Sequence, residues 1–123
     1  MSTPTADDLS RKKCLPCEGG VPTLTPDEAR AMLERVDGWE LIDDGKAIRR
    51  AWTVKHFRAA KAFFDEVADL AEAEQHHPDI HVTGYRNVAI ELTTHAIGGL
   101  SENDFILAAK IDRLPIKLKS QTP

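Results

Sequence analysis

Four of the five histidines in this chain of 123 residues, His76, His77, His81 and His95, fall between positions 76 and 95. A neutral imidazole accepts a proton near pH 7 and a protonated one donates it. Histidines gathered round a cavity therefore suit a reaction that takes a proton from one substrate atom while protonating a leaving group on another. Dehydration has that requirement. Hydrolysis through a covalent intermediate fits less well, because no Ser or Cys with motif support stands in this window. Glu72 precedes His76 by four residues, so on a helix the two share a face, and the carboxylate can orient the imidazole or raise its pKa. His95 comes from a separate element and can converge on the same cleft, as a rigid scaffold requires when it places two proton-transfer groups around one substrate.

Each of these residues also has a plainer reading. His76-His77-Pro78 can be a helix C-terminus, where a histidine interacts favourably with the helix dipole. Asp104 can be a helix cap, Tyr85 a turn aromatic, His81 a solvated strand residue, His56 a surface residue and Trp39 part of the core. Metal binding is the rival for any histidine cluster: His76, His77 and His95 could supply the three protein ligands of a catalytic zinc. Adjacent histidines on a helix diverge by about 100°, which makes joint chelation awkward, so the site is read without a metal. Cys14-Leu15-Pro16-Cys17 is half of a zinc-ribbon or redox pattern. A lone C-x-x-C outside a βαβ context is weak evidence for redox work, and both an incidental pair and a structural zinc with two further ligands stay open.

The elements that must position these groups follow from periodicity. Residues 1–23, rich in Thr, Pro, Gly and charge with no sustained apolar period, read as a flexible arm. Thr25-Pro26-Asp27-Glu28 offers a capping hydroxyl, a proline at the first helical position and a carboxylate three residues after the cap. The helix it starts places Ala29, Met32, Leu33 and Val36 on one face and ends at Gly38. Trp39–Ile42 and Ala47–Val54 alternate as strands around the turn Asp43-Asp44-Gly45-Lys46, although Arg50 sits among the apolar positions. A long helix is predicted from about Lys55 to Gln75, with Ala60, Phe63, Phe64, Val67, Ala68 and Ala71 forming a broad stripe, and Pro78 prevents its continuation past His77. Strands at about Ile80–Thr83 and Asn87–His95 flank Gly84-Tyr85-Arg86, so that His95 leaves the sheet on the face opposite the apolar side. Ser101-Glu102-Asn103-Asp104 opens a last helix that stops before Pro115. The order α-β-β-α-β-β-α predicts an α+β domain over residues 24–114, a four-stranded antiparallel sheet with three helices packed on one face, followed by a frayed tail at 115–123.

Composition sets the outer limits. With 41% hydrophobic residues, 29% charged and a net charge of −4, one compact domain is expected. A (β/α)₈ barrel needs about 250 residues. The acidic balance argues against nucleic-acid binding, and no stretch approaches the ~20 apolar residues of a membrane span. The two cysteines and the lack of an apolar leader core point to a reducing compartment, and the cytoplasm is the expected location.

Glu72-x3-His76-His77-Pro78, then Tyr85, His95 and Asp104, together with the strings HHPDI, LTTH and GGLSENDF and with Trp39 after Gly38, resemble the signature of the pterin-4a-carbinolamine dehydratases over about residues 25–113. The resemblance implies a lyase that removes water from 4a-hydroxytetrahydropterin to give quinonoid dihydropterin. It also implies His76, His77 and His95 as the active-site histidines, Glu72 and Asp104 as their supports, and Trp39 and Tyr85 near the pterin. On the same footing it implies no metal or organic cofactor and a homodimer or homotetramer. The extension RKKCLPCEGG is similar to that of a plastid-related and bacterial branch that includes Rubisco accumulation factors, so an assembly chaperone on this fold is the alternative.

Overall fold

The computed structural model describes residues 5–14 and 22–119. Helices α1 (Ala6–Arg11) and α2 (Pro26–Leu33) precede strands β1 (Glu40–Ile42) and β2 (Ala47–Thr53). Helix α3 (Phe57–Glu74), strands β3 (Asp79–Thr83) and β4 (Asn87–Leu92) and helix α4 (Glu102–Ile111) follow, with short 3₁₀ turns at Asp43–Gly45 and His95–Ile97. The strands form one antiparallel sheet in the order β1-β2-β4-β3, so the two central strands β2 and β4 are joined through α3 and β3. This is the α+β architecture that periodicity predicts, with one helix more.

Register explains how the sheet acquires one wet and one dry face. Ile48 pairs with Leu92, Arg50 with Ile90 and Trp52 with Val88, and the apolar members of these pairs are buried in the core with Phe63, Val67, Phe105 and Ile106. On the other face the charged side chains reach solvent, Glu91 lying 3.5 Å from Arg49 and 3.8 Å from His81, while the small Ala47 and Ala89 are covered. Arg50, out of place in the apolar parity, is accommodated by a polar node at the rim of the core. Its guanidinium bonds the Asp112 carboxylate at 2.9 Å and the Asp37 carbonyl, and it lies 5.0 Å from the Trp52 ring centre. Asp112 also accepts from the Trp39 indole N–H at 3.0 Å. Gly38, at φ +86°, makes room for this node: a Cβ there would stand 2.7 Å from Arg50 Nε.

Two expected boundaries differ. The flexible arm expected over 1–23 is, from Thr5 to Cys14, a capped helix and its exit. The Thr5 hydroxyl accepts the Asp8 N–H while the Asp8 carboxylate accepts the Thr5 N–H, and Leu9 is fully buried where α1 packs on α4. Burying that one leucine contributes about 2 kcal/mol. Residues 1–4 and 15–21 of the expected arm, Cys17 included, lie outside the described residues. The C-terminal tail is also ordered in part. Lys55 N–H donates to the Lys117 carbonyl and Lys119 N–H to the Thr53 carbonyl, so residues 117–119 run beside the end of β2.

Helix α4 shows why α1 matters to the core. Every residue from Asn103 to Ala109 is buried, so α4 lacks a polar face of its own, and a helix apolar on all sides must be covered on all sides. Helix α3 and α1 both pack against it.

Candidate active site

Helix α3 delivers the first two histidines, and the way it ends decides where they go. Gln75 caps it in the left-handed region, φ +55° and ψ +38°, and its side-chain amide bonds the Glu72 carbonyl at 2.7 Å. Pro78 bars the helical region to His77, so the chain leaves extended and successive side chains point apart. His76 turns inward and is 5% exposed. His77 turns outward to solvent.

His76 Nε2 lies 2.6 Å from Asp104 Oδ1. Asp104, the third residue of α4, is fully buried, and its other oxygen accepts the Ser101 N–H at 3.0 Å and the Thr94 hydroxyl at 2.8 Å. Thr94 and Ser101 bond each other through their hydroxyls, also at 2.8 Å. Asp104 is therefore both the helix cap and the partner of a histidine, one reading for each oxygen. With the carboxylate accepting at every contact, the proton between the pair is assigned to His76 Nε2, which fixes the tautomer of the ring.

Glu72 does not meet His76. It pairs instead with His77, Oε2 to Nε2 at 2.5 Å, with both side chains exposed. The i,i+4 expectation fails because the helix stops at Glu74, and the left-handed residue carries His76 off the face that Glu72 occupies. The pair that forms is the same device one residue later: a carboxylate holding an imidazole open to solution.

His95 follows directly on Thr94 and is exposed. Strand β4 ends at Leu92, short of the expected His95, because Thr94 pairs with Gly99 and the chain bends into the 3₁₀ turn at His95–Ile97. Through Thr94, Asp104 and His76 the structure thus gathers His76, His77 and His95 at one end of the sheet. Tyr85 and Trp39 stand apart from them. Tyr85 is an exposed residue in the β3–β4 turn, at the opposite end of β4, about 20 Å away at the usual rise per strand residue, with the Arg86 guanidinium 5.4 Å from its ring centre. Trp39 is in the core, edge-on to Trp52 at 6.0 Å.

Thr94 and Ser101 belong to the site's support, although the sequence offers Ser101 only a capping role and singles out Thr94 for none. The LTTH and capping-box strings contain them. His56, read as a surface residue, caps α3 by accepting the Ala59 N–H on Nδ1 at 3.0 Å. Among the described residues, no group of three or more His, Cys, Asp and Glu side chains is placed to hold a metal ion.

A sheet covered by helices on one face, with imidazoles held by carboxylates at one end, is a candidate acid–base site on an α+β scaffold. Comparison places it in a lineage: residues 22–114 match the family model of pterin 4 alpha carbinolamine dehydratase, and the chain belongs to that family. It is 50% identical over 113 residues to the mitochondrial pterin-4-alpha-carbinolamine dehydratase 2 of Arabidopsis thaliana, a match covering 89% of this chain and 60% of the relative's length. Among solved structures it resembles a transcriptional coactivator/pterin dehydratase from Brucella melitensis, with TM-score 0.69 and 34% identity over 74% of this chain and 96% of that one. A pterin dehydratase-like protein described as a RuBisCO assembly factor in the alpha-carboxysome is more distant, with TM-score 0.51 and 25% identity over 61% of this chain and 86% of that one.

Proposed function

We propose that the chain dehydrates a 4a-hydroxytetrahydropterin, such as 4a-hydroxytetrahydrobiopterin, to the quinonoid dihydropterin, by histidine acid–base catalysis in tetrahydropterin recycling. A base takes the N5 proton, the C4a–N5 double bond forms, and an acid protonates the departing 4a hydroxyl, so that water leaves and no net proton is consumed. Family membership supports the reaction. The observation that carries the site is the buried His76–Asp104 contact flanked by the exposed His77–Glu72 pair and His95. His77 and His95 face the solution from which a substrate arrives, and His76 is the fixed member of the group. The contributions of Trp39 and Tyr85 to pterin binding that the family resemblance implies belong to the same reading, although within one chain both stand apart from the histidines.

No metal or organic cofactor has a step in this reaction. Assembly as a homodimer or homotetramer is supported by the outer edge of β3, which no other strand among the described residues pairs, and by Phe57 and Phe64, which are 61% and 41% exposed on α3. The cytoplasm is the proposed location. No helix among the described residues is long and apolar enough to cross a membrane. The chaperone alternative is the weaker reading, because the assembly-factor relative is 25% identical while a named dehydratase is 50% identical.

The deciding experiment follows dehydration of a 4a-hydroxytetrahydropterin under conditions where spontaneous loss of water is slow. Acceleration by the wild-type chain is expected, and its absence overturns the reading.

A further inference from the structure

The family match begins at residue 22, yet the residues ahead of it reach the two helix ends that carry the site. Lys13 Nζ donates to the Ala73 carbonyl at 3.2 Å, and the Cys14 N–H donates to Glu74 Oε1 at 2.8 Å. Ala73 and Glu74 are the last two residues of α3, and His76 is two residues further on. On the other side, Lys12 Nζ bonds Glu102 Oε1 at 3.0 Å and the Cys14 thiol lies 3.6 Å from the Asn103 carbonyl. Glu102 and Asn103 are the first two residues of α4, and Asp104 is the next. Three consecutive residues thus touch both helix ends immediately beside the two halves of the His76–Asp104 contact.

We propose that Lys12, Lys13 and Cys14 form a positioning clamp that ties the end of α3 to the start of α4 and sets the separation across which His76 and Asp104 meet. The chemistry at the centre of the clamp is consistent with a fixed joint. Burial pushes the Cys14 thiol up, with help from the Glu74 charge, to about 12, so the thiol remains a hydrogen-bond donor at any working pH. Burial also pushes the Glu74 carboxyl up, but the Cys14 N–H and Lys110, whose ammonium is 2.8 Å from Oε2, outweigh it and hold that carboxyl below its ordinary value. Glu74 is therefore an ionised acceptor locked from both sides. Buried Leu9 in α1 anchors the segment against α4.

The kinetic half of the test rests on the dehydratase reading, and the spectroscopic half does not. In the full chain, Glu74→Ala removes the acceptor, Lys12→Ala/Lys13→Ala removes the two exposed arms, and Cys14→Ser keeps the N–H and a donor to Asn103. The imidazole N–H of His76 bonded to Asp104 is followed by proton NMR for its solvent exchange, and dehydration is followed for kcat and KM. Glu74→Ala is expected to speed exchange and lower kcat, each about tenfold and so below the ~10²-fold that a full ångström of misplacement can cost, with KM within about twofold. The double lysine variant is expected to move both in the same direction, and Cys14→Ser to match wild type. Unchanged His76 exchange in Glu74→Ala overturns the clamp. Should that variant not fold, unchanged exchange in the double lysine variant overturns it instead. If wild type fails to dehydrate pterins, the proposed function falls while the exchange measurement still decides the clamp.

Discussion

His76 and Asp104, 28 residues apart in sequence, meet at 2.6 Å with both side chains buried. One carboxylate oxygen serves the imidazole, and the other serves the Ser101 N–H and the Thr94 hydroxyl. The helix start and the histidine therefore share one anchor, and a change at Asp104 reaches stability and chemistry together. Asp104→Asn keeps the shape but presents an amide to groups that need an acceptor. A fall in kcat of roughly 10²-fold is expected, the scale of general acid–base contributions, with about 1–3 kcal/mol of stability lost. Steady-state dehydration kinetics beside thermal unfolding check both, and a wild-type kcat would remove the anchoring role.

At the solvent-facing pair the two effects separate. His77 and Glu72 side chains are 59% and 72% exposed, and exposed ion pairs contribute at most about 1 kcal/mol. His77→Ala is expected to leave the melting temperature near wild type and to lower kcat roughly 10²-fold. Glu72→Gln should give a smaller loss of kcat in the same direction. Equal kcat in wild type and His77→Ala would move the chemistry to His95.

His56 supplies the contrast. Far from the cluster in the fold, it caps α3 through Nδ1, so His56→Ala should leave kcat unchanged while costing about 1 kcal/mol of stability. Denaturant unfolding reads the second effect, and a loss of activity at constant stability would contradict it.

Glu74 predicts a pH dependence of a definite sign. Its carboxyl is held below the ordinary value in the folded chain, so its contribution to stability is fully present above the unfolded carboxyl's pKa. It is lost as pH falls through the lower folded value. Glu74→Gln should therefore destabilise the chain by about 2 kcal/mol at neutral pH, and the gap to wild type should shrink in acid. Unfolding free energies measured from pH 7 down to pH 3 test this, and a gap that widened in acid would reverse the sign.

Gly38 carries a sharp structural expectation as well. At φ +86°, with Arg50 Nε 2.7 Å from where a Cβ would stand, Gly38→Ala must both strain the backbone and push the guanidinium off Asp112. A loss of about 1–3 kcal/mol is expected, read by thermal unfolding. The cost of Gly38→Ala should be smaller in an Arg50→Ala background, because the Cδ, Nε and Cζ atoms that the new Cβ meets are gone.

Much of this was legible in the residues themselves. The capping boxes at Thr25 and Ser101, the stripe on α3 and the alternation in β2 and β4 all specify their elements locally, and the HHP, LTTH and SEND strings name the groups that converge. What escaped has a physical reason in each case. Gln75 adopts a left-handed backbone with no glycine or asparagine to announce it, and that single residue exchanges the partners of Glu72. Helix α1 has only six residues, too few for an apolar period, and its one readable sign was Thr5 with Asp8 three positions on. Arg50 breaks the parity of β2 because its charge is answered by Asp112, 62 residues away, and no local pattern carries that information.

The reversal at Gln75 also makes two neighbouring imidazoles into a matched pair of probes. A reagent in solution that acylates histidine finds His77 at once, whereas it reaches His76 only when the contact with Asp104 opens. Local openings of this kind occur with free energies of their own, below that of global unfolding. The delay between modification of His77 and modification of His76 therefore times the breathing of the site, with the exposed neighbour as the clock.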